Sequence, residues 1–249
     1  MGGEVTLITG ASRGIGAATA LEAARRGHAV CVNYRANRAA AESVVRAITE
    51  GGGRAIAVAA DVSAESSVAR LFARVDTELG PVTVLVNNAG IVAQQARVEG
   101  MDGERLLRMF ATNVFGAFFC AREAIRRMSM RHGGKGGVIV NVSSAASRLG
   151  SPGEYVDYAA SKGAIDTMTI GLAKELAEEG IRVAAVRPGI IETEIHASGG
   201  QPDRPERLRS VIPMKRAGRA EEVAEAILWL ASPEASYSTG AILDVAGGR

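Results

Sequence analysis

Short apolar runs alternate with longer amphipathic stretches along the 249 residues of the chain. The runs at 4–9, 29–34, 55–60, 82–87, 137–143, 182–187 and 241–245 are rich in Val and Ile and mostly lack in–out alternation. That is the pattern of strands buried on both faces. Between them, segments near 14–26, 37–50, 65–79, 103–130, 155–179 and 221–231 place apolar residues at helical spacing. The β-α-β-α order predicts an α/β fold: a doubly wound, seven-stranded parallel sheet with helices on both faces and right-handed crossovers. No linker divides the chain, so 1–249 is expected to form one domain. The Gly clusters at 51–53 and 133–137 follow helices and read as helix stops. The segment 196–207 carries Gly, Pro and charge after a strand, and 190–212 is expected to form a lid over a site.

Composition narrows the function classes. The 29 basic residues are balanced by 27 acidic ones, for a net charge of +2. Such a balance, with aromatics at only 4%, lacks the basic face and stacking platforms of a nucleic-acid binder. Apolar residues make up 47%, enough for a large core. Cys31 and Cys120 sit in apolar runs and read as small core residues, with no disulfide framework or metal-ligand spacing. The opening segment EVTLITG follows no charged leader, and no apolar run reaches about 18 residues. The expectation is a soluble, cytoplasmic protein without membrane contact.

Candidate chemistry starts with the turn after the first strand. VTLITGASRGIGAATA is strand, Gly-rich turn, helix, with Gly10, Gly14 and Gly16 spaced G-x-x-x-G-x-G. Such a turn lets backbone approach a pyrophosphate, which then meets free N–H groups at the helix N-terminus. The second strand runs out as VCVNYRANR, with no carboxylate before Glu42. An NAD site there holds Asp or Glu against the ribose hydroxyls. Arg35 and Arg38 follow instead, and Arg13 lies in the Gly-rich turn. Arginines offer paired donors to a 2′-phosphate, so NADP(H) is expected rather than NAD(H).

The stretch YVDYAASKGA supplies a second element. Tyr158 and Lys162 are four apart, on one helix face and one turn from each other. Tyr155 lies two turns from Lys162 and reads as packing or pocket wall. A phenol with a pKa of about 10 is a poor base near neutrality, and a neighbouring ammonium lowers that pKa. Tyr158 is therefore the expected acid/base and Lys162 its tuner.

Taken together, TGASRGIG (9–16), DV (61–62), NNAG (87–90), Asn113, VSS (142–144), YAASK (158–162), RPG (187–189) with Thr193, and the tail GAILDVAGG resemble the short-chain dehydrogenase/reductase family. The motifs occur in family order over nearly the whole chain. The glucose-dehydrogenase-like and 3-oxoacyl-carrier-protein-reductase-like branches are nearest in pattern. The resemblance implies a Rossmann-like fold and an oxidoreductase acting on a carbonyl/alcohol pair of a small substrate. It implies a catalytic set of Asn113, Ser144, Tyr158 and Lys162. Ser144 would donate to the substrate oxygen, and Asn113 would hold a water linking Lys162 to solvent. The interval after VSS is one residue longer than the pattern, which keeps Ser143 beside Ser144 as an alternative.

For the cofactor, the resemblance implies contacts from Gly10, Ser12, Arg13, Gly14, Ile15 and Gly16, then Asn33 and Arg35. Asp61 and Val62 would flank the adenine, and Asn87, Ala89 and Gly90 would line the channel. Pro188, Gly189, Ile190 and Thr193 would hold the nicotinamide end, with Tyr158 and Lys162 on the ribose side. It also implies a homotetramer paired through the apolar helices near 114–125 and 164–176. Gln94, Gln95, Glu154 and His196 could face a polar substrate. A carrier-protein thioester needs a basic landing patch. Arg126, Arg127, Arg131 and Lys135 offer one, whereas Glu178 and Glu179 stand where carrier-dependent reductases place a base. A non-catalytic dinucleotide sensor is the remaining alternative, and it has no need of the Ser144–Tyr158–Lys162 set.

Overall fold

The computed structural model describes residues 3–249. Seven strands run β1 (Val5–Ile8), β2 (Ala29–Tyr34), β3 (Arg54–Ala59), β4 (Val84–Asn87), β5 (Gly137–Val142), β6 (Ile181–Pro188) and β7 (Ile242–Val245). All neighbours pair in parallel, in the order β3-β2-β1-β4-β5-β6-β7. The helices are α1 (Gly14–Arg25), α2 (Arg38–Glu50), α3 (Glu65–Glu78), α4 (Gly103–Phe110), α5 (Gly116–Met128), α6 (Ala146–Leu149), α7 (Val156–Leu176), α8 (Ile195–Ser198), α9 (Arg204–Arg207) and α10 (Ala220–Ala231). The seven strands and six principal helical regions fall where the periodicity predicts them.

Each central strand sends alternate residues to opposite cores. Leu7, Cys31, Leu85, Ile139 and Val183 meet α3, α5 and α7 through Leu71, Phe72, Cys120, Met128 and Ile165. Val30, Val32, Val84, Val86, Val140 and Val186 meet α1, α2 and α10 through Ala20, Ala23, Ile48, Val223 and Ile227. Both faces are covered, so all four residues of β1 and of β4 are buried, the polar Thr6 and Asn87 among them. The outer strands β3 and β7 are only partly covered.

One expected element is interrupted. The helical stretch from 103 onward passes through a π-helical turn at Ala111–Phe115 before resuming as α5. Such a turn carries one residue more than an α-helical turn and recurs at functional sites. It carries the buried Asn113. The periodic pattern of apolar residues on either side hides the insertion. The short α8 and α9, within the expected 190–212 lid, also escaped prediction, because four residues are too few to show a period.

Candidate active site

The sheet order reverses between β1 and β4, and the crevice outside the strand carboxyl ends at such a point is where α/β sheets bind ligands. Two adjoining cavities, of about 390 Å³ and about 470 Å³, lie there. They share Ile15, Asn88, Gly90, Thr193 and Ile195.

The first cavity is built on the turn between β1 and α1. Gly14 has φ +55, a conformation that L side chains rarely adopt. A Cβ on Gly16 would lie 2.7 Å from the Gly10 carbonyl and 2.5 Å from Asn88 Nδ2, so backbone crosses backbone there without room for a side chain. The turn is tied down from beneath. Asn33 Oδ1 accepts from the Gly10 N–H at 3.2 Å, while its amide donates to the carbonyls of Val58 and Ala60. Asn88 Nδ2 donates to the carbonyls of Thr9 and Gly10 at 2.8 and 3.1 Å. Thr9 Oγ1 in turn accepts from the N–H groups of Asn88 and Ala89. Gly10, Ser12, Arg13, Gly14 and Ile15 line this cavity together with Asn33 and Arg35. Asp61, Val62, Ala89 and Gly90 complete the opposite wall. Asp61 is oriented by Ser63, whose N–H and hydroxyl both donate to Oδ1.

Arginine, not a carboxylate, follows β2. Arg35 and Arg13 both border the cavity, whereas Arg38 does not and pairs with Glu42 at 2.6 Å. Asn87 is placed differently from its motif neighbours. It is buried, outside the linings of both cavities, and donates to Asn141 Oδ1 at 3.0 Å and the Ala117 carbonyl at 3.3 Å. Its register partner across β4 and β5 is that same Asn141, so it braces the strands under the channel.

The second cavity gathers Ser144, Tyr158 and Lys162 with Pro188, Gly189 and Ile190. Ser144 and Ser143 follow β5, and the backbone clamps them: Ser143 N–H donates to the Val186 carbonyl and Ala145 N–H to the Pro188 carbonyl, both at 2.9 Å. The two serines then separate. Ser143 Oγ donates to the Lys162 carbonyl at 3.2 Å and is buried, while Ser144 lines the cavity with Tyr158 and accepts from the Ala146 N–H at 3.1 Å.

Tyr158 and Lys162 project from the first turns of α7. That start is held by Arg105, whose guanidinium donates twice to the buried Asp157 carboxylate, at 2.8 and 3.2 Å, and once to the Gln94 carbonyl. The Lys162 ammonium donates to the Val142 carbonyl at 2.7 Å and lies 5.7 Å from the centre of the Tyr158 ring. Burial pulls its pKa down to about 8, against the nearby Asp166 carboxylate, which raises it. Burial pushes the Tyr158 phenol above its ordinary value, and the neighbouring Ser144 hydroxyl opposes that. This ordering departs from the sequence expectation. The ammonium donates to a main-chain carbonyl rather than to the phenol.

Asn113 lies beside this group. Its Oδ1 accepts from the Ile91 N–H at 2.8 Å, and its amide donates to the Ile91 carbonyl at 3.0 Å and to Ser161 Oγ at 3.1 Å. Ser161 Oγ donates onward to the Tyr158 carbonyl at 2.7 Å. The side-chain donors are thus spent on tying the loop after β4 to α7, and a water here would need an oxygen acceptor of Asn113.

The far wall belongs to the 190–212 segment. His196 Nε2 lies 2.9 Å from the Ile191 carbonyl, which makes it the protonated nitrogen. Gln201 Nε2 donates to the Tyr155 hydroxyl at 2.6 Å, and the Arg204 guanidinium stacks over the Tyr155 ring at 5.1 Å. Arg204 also pairs with Glu154 at 2.6 Å, whose other oxygen accepts from Gln95 at 2.8 Å. Glu154 and His196 border the cavity and Gln94 and Gln95 do not. Asn88, Leu149, Arg204 and Leu208 also line the cavity; Asn88 is the second residue of NNAG, and Arg204 and Leu208 fall within the expected 190–212 lid.

Comparison with known proteins decides the family. The family model described as enoyl-(acyl carrier protein) reductase matches residues 10–249, and relatives named as dehydrogenases and reductases align over nearly the whole chain. The chain belongs to the short-chain dehydrogenase/reductase family. It is therefore an oxidoreductase of a family that binds a nicotinamide dinucleotide. It is 57% identical to the uncharacterized oxidoreductase YgfF of Escherichia coli, over 98% of this chain and 99% of the relative. It is 39% identical to glucose 1-dehydrogenase 2 of Bacillus subtilis, over 99% of this chain and 94% of the relative. Among solved structures, 3-ketoacyl-(acyl-carrier-protein) reductase from Brucella melitensis complexed with NADH superimposes with a TM-score of 0.92, at 36% identity, over 99% of this chain and 98% of that one. Among the described residues no helix is long and apolar enough to cross a membrane, and no group of three or more His, Cys, Asp or Glu could hold a metal ion.

Proposed function

We propose that this oxidoreductase is NADP(H)-dependent and interconverts a carbonyl and an alcohol on a small substrate, using Ser144, Tyr158, Lys162 and Asn113. One observation carries the reading. Ser144, Tyr158 and Lys162 converge in a cavity adjoining a Gly-rich cradle whose second strand is followed by arginine. The cradle fits a dinucleotide, because Gly10, Ser12, Arg13 and Gly14 line it at the start of α1, whose N-terminus has no side-chain cap and can offer free backbone N–H groups to a pyrophosphate. Arg13 and Arg35 would hold the 2′-phosphate, Asp61 and Val62 the adenosine side, and Pro188, Gly189, Ile190 and Thr193 the nicotinamide end. When bound, the dinucleotide supplies or accepts the hydride.

The chain's own residues handle the proton. Ser144 donates to the substrate oxygen and holds it against the Tyr158 hydroxyl, a preorganised donor where negative charge develops. Tyr158 gives its proton to that oxygen, or takes it in the reverse direction. Lys162, with a pKa near 8, is poised close to neutrality, where a proton-passing group works best. A water on an oxygen of Asn113 would connect it to solvent. Ser143 is left to hold the Lys162 main chain.

The carrier-protein alternative is weaker. Arg126 pairs with Glu123, Arg127 with Asp76 and Glu123, and Arg131 with Glu179, so three of the four basic residues, all but Lys135, are already paired with carboxylates. A homotetramer formed through α5 and α7, and a cytoplasmic location, complete the proposal. The exposed Phe118 and Ile170 on those helices are what a partner would cover. The test is the nicotinamide absorbance change with carbonyl substrates and each cofactor. Turnover that survives Tyr158→Phe would sink the acid/base assignment.

A further inference from the structure

The geometry points to an apolar cyclic ketone, alicyclic or aryl-fused, as the substrate class of the second cavity, in preference to a sugar. This inference rests on the oxidoreductase reading above. Val92, Leu149, Pro152, Tyr155, Ile195 and Leu208 line the cavity. They form an apolar wall of the kind that takes up an apolar body. Leu149 is 44% exposed although large and apolar, and a bound ring would cover it.

Most polar side chains of the cavity are already engaged. Glu154 is held by Arg204 and Gln95. Arg204 also stacks on Tyr155, and the Tyr155 hydroxyl accepts from Gln201. His196 spends its N–H on the Ile191 carbonyl, and Asn88 its amide on Thr9 and Gly10. Of the polar lining residues, Ser151, Tyr158 and Arg249 have side chains without a hydrogen-bond or ion-pair partner among the described residues, and Tyr158 is reserved for the reacting oxygen. A sugar buried here would leave several hydroxyls unpaired, and each unpaired buried hydroxyl costs binding. A cyclic ketone needs one oxygen satisfied, and Ser144 with Tyr158 supplies that.

The experiment uses the full chain with NADPH and two ligand series: cyclohexanone, 4-alkylcyclohexanones and 1-tetralone against glucose and gluconolactone. Turnover is followed by absorbance. Binding to the chain–cofactor complex is followed by thermal shift, with the wild type and with Tyr158→Phe. We expect kcat/KM to rise along the ketone series by about fourfold per added methylene, and the sugars to give neither turnover nor a shift. Leu149→Gln should lower kcat/KM for 1-tetralone about tenfold, with Leu149→Met restoring most of it. Ketones that bind without turnover would uphold the cavity's class and overturn the oxidoreductase reading. Ketones that neither bind nor react, or sugars preferred over them, would overturn the class.

Discussion

Lys162 donates its ammonium to the Val142 carbonyl at 2.7 Å, at the end of the strand that also delivers Ser144. The side chain is buried, and burial brings its pKa from the ordinary 10.5 down to about 8. Below pH about 8 the folded chain must keep an ammonium out of water, at a cost on the order of 3 kcal/mol relative to the unfolded chain. Between about 8 and 10.5 the unfolded chain holds this proton and the folded one does not, so this group makes stability rise with pH across that window. Lys162→Met should raise the melting temperature at pH 7 by several degrees while abolishing turnover. A lower melting temperature for the variant would mean that the Val142 hydrogen bond outweighs the burial cost.

The same group predicts the pH profile. Carbonyl reduction consumes a proton, and Lys162 gives up its own near pH 8. The kcat/KM for reduction, which reports the free enzyme, should fall as pH rises through about 8. Tyr158→Phe should lose about a hundredfold or more in kcat while binding of the dinucleotide, followed by fluorescence, is retained.

Arg35 is the cleanest test of cofactor choice, because it borders the first cavity and Arg38 does not. Arg35→Asp should weaken NADPH by about ten- to a hundredfold, the loss of a charge-assisted hydrogen bond, and leave NADH nearly unchanged. Titration of both cofactors against both proteins measures this. An unaltered preference would remove the 2′-phosphate assignment, and the NADH-bound Brucella melitensis relative would then be the better guide.

Arg204 and Glu154 fasten the 190–212 segment to the loop before α7. Arg204 is mostly covered, so Glu154→Ala leaves a partly buried charge without its partner. Amides of 195–208 should exchange with deuterium faster, and substrate KM should rise several-fold, with little change in global melting temperature. Unchanged exchange in that segment would show that the clasp does not hold it.

Arg105 and Asp157 are a different kind of pair, since the Asp157 carboxylate is enclosed. Arg105→Ala should destabilise the chain by about 3 kcal/mol, read by urea unfolding, and lower kcat by displacing the first turn of α7.

The fold was legible because strands covered on both faces and amphipathic helices carry strong periods, as in β4 and α2. The site was legible where chemistry demands particular residues at particular spacing, as in the Gly10–Gly16 turn and the Tyr158–Lys162 pair. Sequence could not show that the Lys162 ammonium is directed at Val142, because that depends on how α7 packs on β5. Nor could it show that Asn33 and Asn87 face backbone beneath the channel, or that Arg204 closes on Glu154 from 50 residues away. Such partners are chosen by three-dimensional neighbourhood, and nothing in local composition encodes them.

The wide turn at Ala111–Phe115 has a further consequence. A helix advances by about 100° per residue, so deleting one residue there would restore regular winding and rotate α4 by about that angle relative to α5. Arg105 would swing away from Asp157, and Asn113 would leave Ile91. The extra residue thus sets the phase between two halves of one rod, and a shorter, more regular chain would be a worse-aligned enzyme.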